Sequence, residues 1–111
     1  MKTFINILVL FVLLLSVANA ASTGFITVKE VRAEGGNIYV YPNEAISNPL
    51  NCDREIPIIL DPSDTDFEHM YEQAIVALTT GIRMQFFIGN CASSPWGNTR
   101  PLGYASGIYS N

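Results

Sequence analysis

Residues 66–91 read DFEHMYEQAIVALTTGIRMQFFIGNC, and the change of rhythm inside this stretch decides the fold. Up to Thr80 the apolar residues Phe67, Met70, Tyr71, Ala74, Ile75 and Leu78 recur at intervals of three and four, the spacing of one helical face. Thr65 and Glu68 have capping-box spacing, and acidic residues crowd the helix start, where the helix dipole favours them. Gly81 is the natural terminator. Beyond it the period falls to two, with Met84, Phe86 and Ile88 on one side, so a strand runs from Ile82 towards Cys91.

On the N-terminal side, GFITVKEVRAEGG (24–36) reads as a strand with a fault. Ile26 and Val28 alternate, but the next apolar residue is Val31. One extra residue near Lys29-Glu30 restores the register, which predicts a β-bulge. Gly35-Gly36 offers positive-φ positions for a tight turn into NIYVYP (37–42). Pro42 ends that strand, and IPIILDP (56–62) supplies a third, with Ile56, Ile58 and Leu60 sharing a face. On the C-terminal side, RPLGYASGIYS (100–110) forms a fifth, its glycines at 103 and 107 marking kinks or close backbone approach. Strands and helix therefore follow the order β-β-β-α-β-β. The expected fold is mainly β with one helix, a small five-stranded barrel of the oligonucleotide/oligosaccharide-binding (OB) type. Bulge and glycines are the devices that curl a sheet towards closure.

The first twenty residues, MKTFINILVLFVLLLSVANA, read as a signal peptide: Lys2, an apolar core from Ile5 to Leu15, and the small-x-small site Ala18-Asn19-Ala20. The apolar core is too short for a comfortable bilayer span, so neither an anchor nor membrane insertion is expected. Residues 21–111 then form a single domain, secreted or periplasmic. The whole chain carries a formal charge of −4, and loss of Lys2 makes the remainder more acidic. Such a domain lacks the concentrated basic face that nucleic acid needs. Cys52 and Cys91 are the only cysteines, and in an exported chain they are expected to form one disulfide. Closing so long a loop is worth about 4 kcal/mol in the chain-entropy model.

Little in the sequence points to catalysis. His69 lies on the helix beside Glu68 and Glu72, off the apolar stripe, with no nucleophile or orienting partner indicated. Asp61, Asp64, Asp66 and Glu68 fail the calcium-loop pattern, and a turn at Asp61-Pro62 plus acids at the helix start explain them. No enzyme activity, cofactor or metal is implied. A binding role has better support. The loop ASSPWGNTR (92–100) sets Trp96, the only tryptophan, among short hydrogen-bonding residues that include Asn98 and Arg100. A flat aromatic face with amide and hydroxyl groups suits a sugar, and Arg100 suits the carboxylate of an acidic one. The competing reading makes Trp96 a lid over one end of the barrel. Tyr39 and Tyr41, opposite Ile38 and Val40, form a second candidate surface for a ligand or a subunit contact.

The segment quoted at the outset also resembles the helix-then-strand region of binding subunits of the subtilase-cytotoxin type, relatives of pertussis-type toxin B subunits. The shared features are an aromatic-acid helix start, Gln73-Ala74 at its centre, a Thr80-Gly81 end and an apolar strand. The wider chain is similar in element order to small exported bacterial proteins related to those subunits. The resemblance implies an OB-type barrel, a homo-oligomer in the form of a pentameric ring, and binding of cell-surface glycans or glycoproteins. No loop position matches the family's sugar-contacting residues, so none is carried over. The expected function is a secreted carbohydrate-binding module of toxin B-subunit type. The alternative is an exported protein-interaction or structural module, pairing through its tyrosine face.

Overall fold

The computed structural model describes residues 21–110. The signal peptide expected over 1–20 lies outside the described residues. Five strands, β1 (Val28–Glu34), β2 (Asn37–Pro42), β3 (Ile58–Leu60), β4 (Arg83–Ser93) and β5 (Thr99–Tyr109), form one sheet, with the helix α1 (Phe67–Thr80) between β3 and β4. The spatial order is β1-β2-β3-β5-β4, all neighbours antiparallel except β3 and β5. Element order and fold class match the sequence expectation.

The expected bulge is present. Val28 pairs with Pro42 and Glu30 with Tyr41, so Lys29 is the additional residue. Gly35 and Gly36 both take positive φ, 60° and 87°, and close a two-residue hairpin between β1 and β2. The barrel itself is loose. No continuous ladder joins β1 to β4; the segment before β1 makes only the isolated bridges Ser22↔Phe87 and Ile26↔Met84. Gly24 between them, at φ 77°, breaks the extended backbone that a ladder would need.

One sheet face and α1 enclose the core: Ile26, Val28, Val40, Ile58, Leu60, Met84, Phe86 and Ile88 against Met70, Ala74 and Ala77. The inward-facing Met84, Phe86 and Ile88 are as expected; the helix face is rotated from expectation. Its buried line is Met70-Ala74-Ala77, while Tyr71 and Leu78 each keep 38% of their surface exposed. Two alanines bring the helix axis close to the sheet, and the bulkier neighbours are left on its shoulder. The capping box does not form. Asp66 is the N-cap and its side chain makes no cap bond. Asp61 and Asp64 instead turn the chain, accepting from the backbone N–H groups of Ser63 and Asp66 at 2.9 Å each. Gly81 ends the helix in the left-handed region, its N–H donating to the Ala77 carbonyl at 2.9 Å.

Ile56 does not join the face of Ile58 and Leu60. The ladder starts at Ile58, after Pro57, which has no N–H to give, and Ile56 is exposed. Gly103 marks the close approach read from the sequence. A Cβ there would meet Phe86, Leu60 and Ile58 at 3.2–3.4 Å.

Candidate functional site

The segment after Cys91 is more ordered than the loop expected. β4 runs on to Ser93 and β5 begins at Thr99, so Arg100 is a strand residue paired with Ala92. Only Ser94–Asn98 remain as the hairpin turn, with Trp96 at its tip. The turn is closed by Ser94 N–H to the Asn98 carbonyl at 2.8 Å and by Ser94 Oγ to Asn98 Oδ1 at 3.0 Å. Gly97 supplies the positive φ, 84°, that the reversal requires.

The hairpin is tied to the segment before β3. Cys52 and Cys91 are disulfide-bonded, with Cα atoms 5.6 Å apart. Beside the bridge, Asp53 and Thr99 exchange two bonds. Asp53 N–H donates to Thr99 Oγ1 at 3.0 Å, and Asp53 Oδ2 accepts from Thr99 N–H at 2.9 Å. The Thr99 backbone bond holds the Asp53 carboxyl below its ordinary range, helped by the Thr99 hydroxyl. Arg54 N–H adds a bond to the Thr99 carbonyl at 3.1 Å.

The two candidate surfaces prove to be one. Tyr39, expected on an exposed face, is only 1% exposed, and the Trp96 ring packs on it, centroids 5.2 Å apart and planes at 57°. Trp96 thus covers Tyr39 on the outer face rather than closing one end of the barrel, and 40% of its surface stays open to solvent. The Arg100 guanidinium lies 4.8 Å from the indole centroid. Tyr41 is half-buried, with the Arg32 guanidinium 4.9 Å from its ring centre. Arg32 is itself paired with Glu30 at 2.8 Å. Pairing of Arg32 with Tyr39, Tyr39 with Ile59, and Ile59 with Leu102 places these residues on the sheet face opposite the helix. Arg32, Tyr41, Trp96 and Arg100 therefore border one outer face, with Tyr39 beneath it.

Asn98 and Arg100 serve the hairpin first. Asn98 Oδ1 accepts from both Ser94 Oγ and Arg100 Nε, the latter at 2.7 Å, and Arg100 Nη1 donates to the Ile56 carbonyl. Arg100 can present only the rest of its fork, so a bidentate grip on a sugar carboxylate would cost its present bonds. The Asn98 amide nitrogen remains a donor. Sequence reasoning missed Asp53 and the Ile56 carbonyl, and set Thr99 beside Trp96 without its partner. Only the neighbouring Cys52 hints that this segment meets the hairpin.

His69 is exposed on α1, as expected. Among the described residues, no group of three or more histidines, cysteines or carboxylates is placed to hold a metal ion. No helix among them is long and apolar enough to cross a membrane. Comparison of the chain with family models, curated proteins and solved structures found no match.

Proposed function

We propose that this protein is an exported carbohydrate-binding module, a binding rather than a catalytic protein, whose glycan docks on the outer face of β2 and β3 against Trp96. The observation that carries the reading is a tryptophan left 40% exposed at a hairpin tip that a disulfide and the reciprocal Asp53–Thr99 bonds make rigid. A preorganised flat aromatic loses little entropy on binding and suits the C–H face of a sugar ring. Tyr41 and the Asn98 amide nitrogen extend the surface, and the remaining Arg100 donors favour an acidic sugar. In OB barrels, this strand surface and the loop between the last two strands are where oligosaccharides and oligonucleotides dock, an analogy of fold alone. The acidic balance of the chain argues for the sugar. Export is supported by the leader reading of residues 1–20 and by a disulfide that persists in oxidising compartments. The resemblance of the helix–strand segment to toxin B subunits supports the same reading, including assembly of copies into a ring. The exposed Tyr71 and Leu78 on α1 suit a subunit contact.

The test is a glycan array with the mature protein, followed by titration of its best ligand into wild type and two variants. Trp96→Leu keeps a cover on Tyr39 but removes the flat ring, and Trp96→Ala removes both. Each is expected to weaken binding about tenfold or more. Unchanged affinity in Trp96→Leu would take the indole out of the site. An array without hits, beside a stable protein complex in a pull-down, would favour the interaction-module reading instead.

A further inference from the structure

A recess lies on the other side of the sheet, between the first half of α1 and β5. It has a volume of about 220 Å³ and is lined by Asp66, His69, Met70 and Gln73 of the helix segment and by Ala105 and Ser106 of β5. None of these residues belongs to the Trp96 face. Its size is several times the roughly 30 Å³ that one water occupies in the liquid. It falls short of the roughly 300 Å³ at which drug-sized sites begin. One ring fits; an oligosaccharide does not.

The polar groups around it are arranged and largely unspent. Ser106 Oγ donates to Gln73 Oε1 at 2.6 Å, which pins the amide and leaves its Nε2 hydrogens as donors and the Ser106 lone pairs as acceptors. Asp66 stands at the N-cap, where a carboxylate usually satisfies the first helical N–H groups, yet its side chain makes no such bond. That carboxylate is a free acceptor on the rim, with His69 one helical turn further on. Met70, 1% exposed, closes the recess beneath them, and Ala105 borders it. The positive end of the helix dipole offsets the Asp66 charge, which favours a neutral ligand over an ion.

We propose that this recess is a second binding site, for a neutral ring carrying vicinal hydroxyls, such as one sugar residue or a cyclitol. One hydroxyl donates to the Asp66 carboxylate, its neighbour accepts from Gln73 Nε2, and the ring sits above the buried Met70. The site takes the same broad ligand class as the Trp96 face but rests on none of its residues.

The experiment is a nuclear magnetic resonance titration of the mature protein, with labelled methionine methyls, side-chain amides and the Trp96 indole N–H. The probes are methyl β-galactopyranoside, methyl α-glucopyranoside and myo-inositol, with tetrahydropyran as a ring without hydroxyls. Saturable shifts of the Met70 methyl and the Gln73 amide are expected with at least one diol and none with tetrahydropyran. Asp66→Asn and Gln73→Ala should each weaken that binding about tenfold, and Trp96→Leu should leave it unchanged. An unmoved Met84 methyl in the variants certifies the core. Absence of a saturable shift with every diol, or binding unaltered in both rim variants, overturns the proposal. Shifts confined to the Trp96 indole overturn it while upholding the outer-face site. Met70 and Gln73 shifts without any Trp96 response uphold it and leave the outer-face reading without support.

Discussion

Asp53 governs how firmly Trp96 is presented, because its carboxylate and backbone N–H both bind Thr99 at the root of the hairpin. Its carboxyl sits below the ordinary range, chiefly through the Thr99 N–H, so its contribution is present above the unfolded-state value. That contribution is lost as pH falls through the depressed folded-state value. Glu44, bound to the Thr27 backbone, and Asp61, bound to Ser63, are depressed in the same way. Global stability therefore declines in the same acid window. Trp96, the only tryptophan, makes the local event readable. On acidification, wild-type indole emission should change before far-UV circular dichroism is lost, whereas Asp53→Asn should show the altered emission already at neutral pH. Superimposable emission profiles for the two proteins would detach Asp53 from the hairpin. The residue scale is also where the sequence misled most. Alternation correctly set Tyr39 opposite Val40, but a strand pattern carries no information on what covers its outer face. The cover comes from a distant hairpin.

Elements were more legible, because each rests on a local rhythm or a local backbone demand. The bulge at Lys29 followed from one misplaced valine, the β1–β2 turn from two glycines, and the helix end from Gly81. The helix face was less legible, since Ala77 carries no hydrophobic signal comparable to Leu78 yet is the residue that reaches the sheet. The capping box failed because Asp61 and Asp64 organise the approach by their own turns. Gly103 offers a quantitative test at this scale. β5 crosses the core there with Phe86, Leu60 and Ile58 within 3.4 Å of where a side chain would begin. Gly103→Val should cost about 1–3 kcal/mol through overpacking, seen as a lower urea midpoint with an unchanged slope. A midpoint equal to wild type would mean that β5 has room to lift from the core.

At the scale of the whole molecule, β1, β2 and β3 form one half of the barrel and the β4–β5 hairpin the other. Backbone pairing between them is sparse. Among the described residues it comprises the parallel pair Ile59↔Leu102, the bridges at Ser22 and Ile26, and the bond from Arg54 N–H to the Thr99 carbonyl, with the Asp53–Thr99 side-chain bonds beside it. The Cys52–Cys91 disulfide spans the same seam, cross-linking it in addition to the chain that runs from β3 through α1 to β4. A domain this small has a total stability of about 5–15 kcal/mol, and loss of a native disulfide from small secreted domains costs about 2–5 kcal/mol. Reduction, or Cys52→Ser with Cys91→Ser, should therefore lower the urea midpoint sharply and shift Trp96 emission towards that of solvated indole. The two readouts separate the possible roles of the bridge. A lower midpoint with unchanged native-state emission would mean that Asp53 and Thr99 hold the hairpin alone. An unchanged midpoint, with reduction verified by mass, would mean that core packing between α1 and both halves carries the seam. The expected result ties stability to compartment, because a chain that needs this bridge reaches its full stability only where thiols are oxidised.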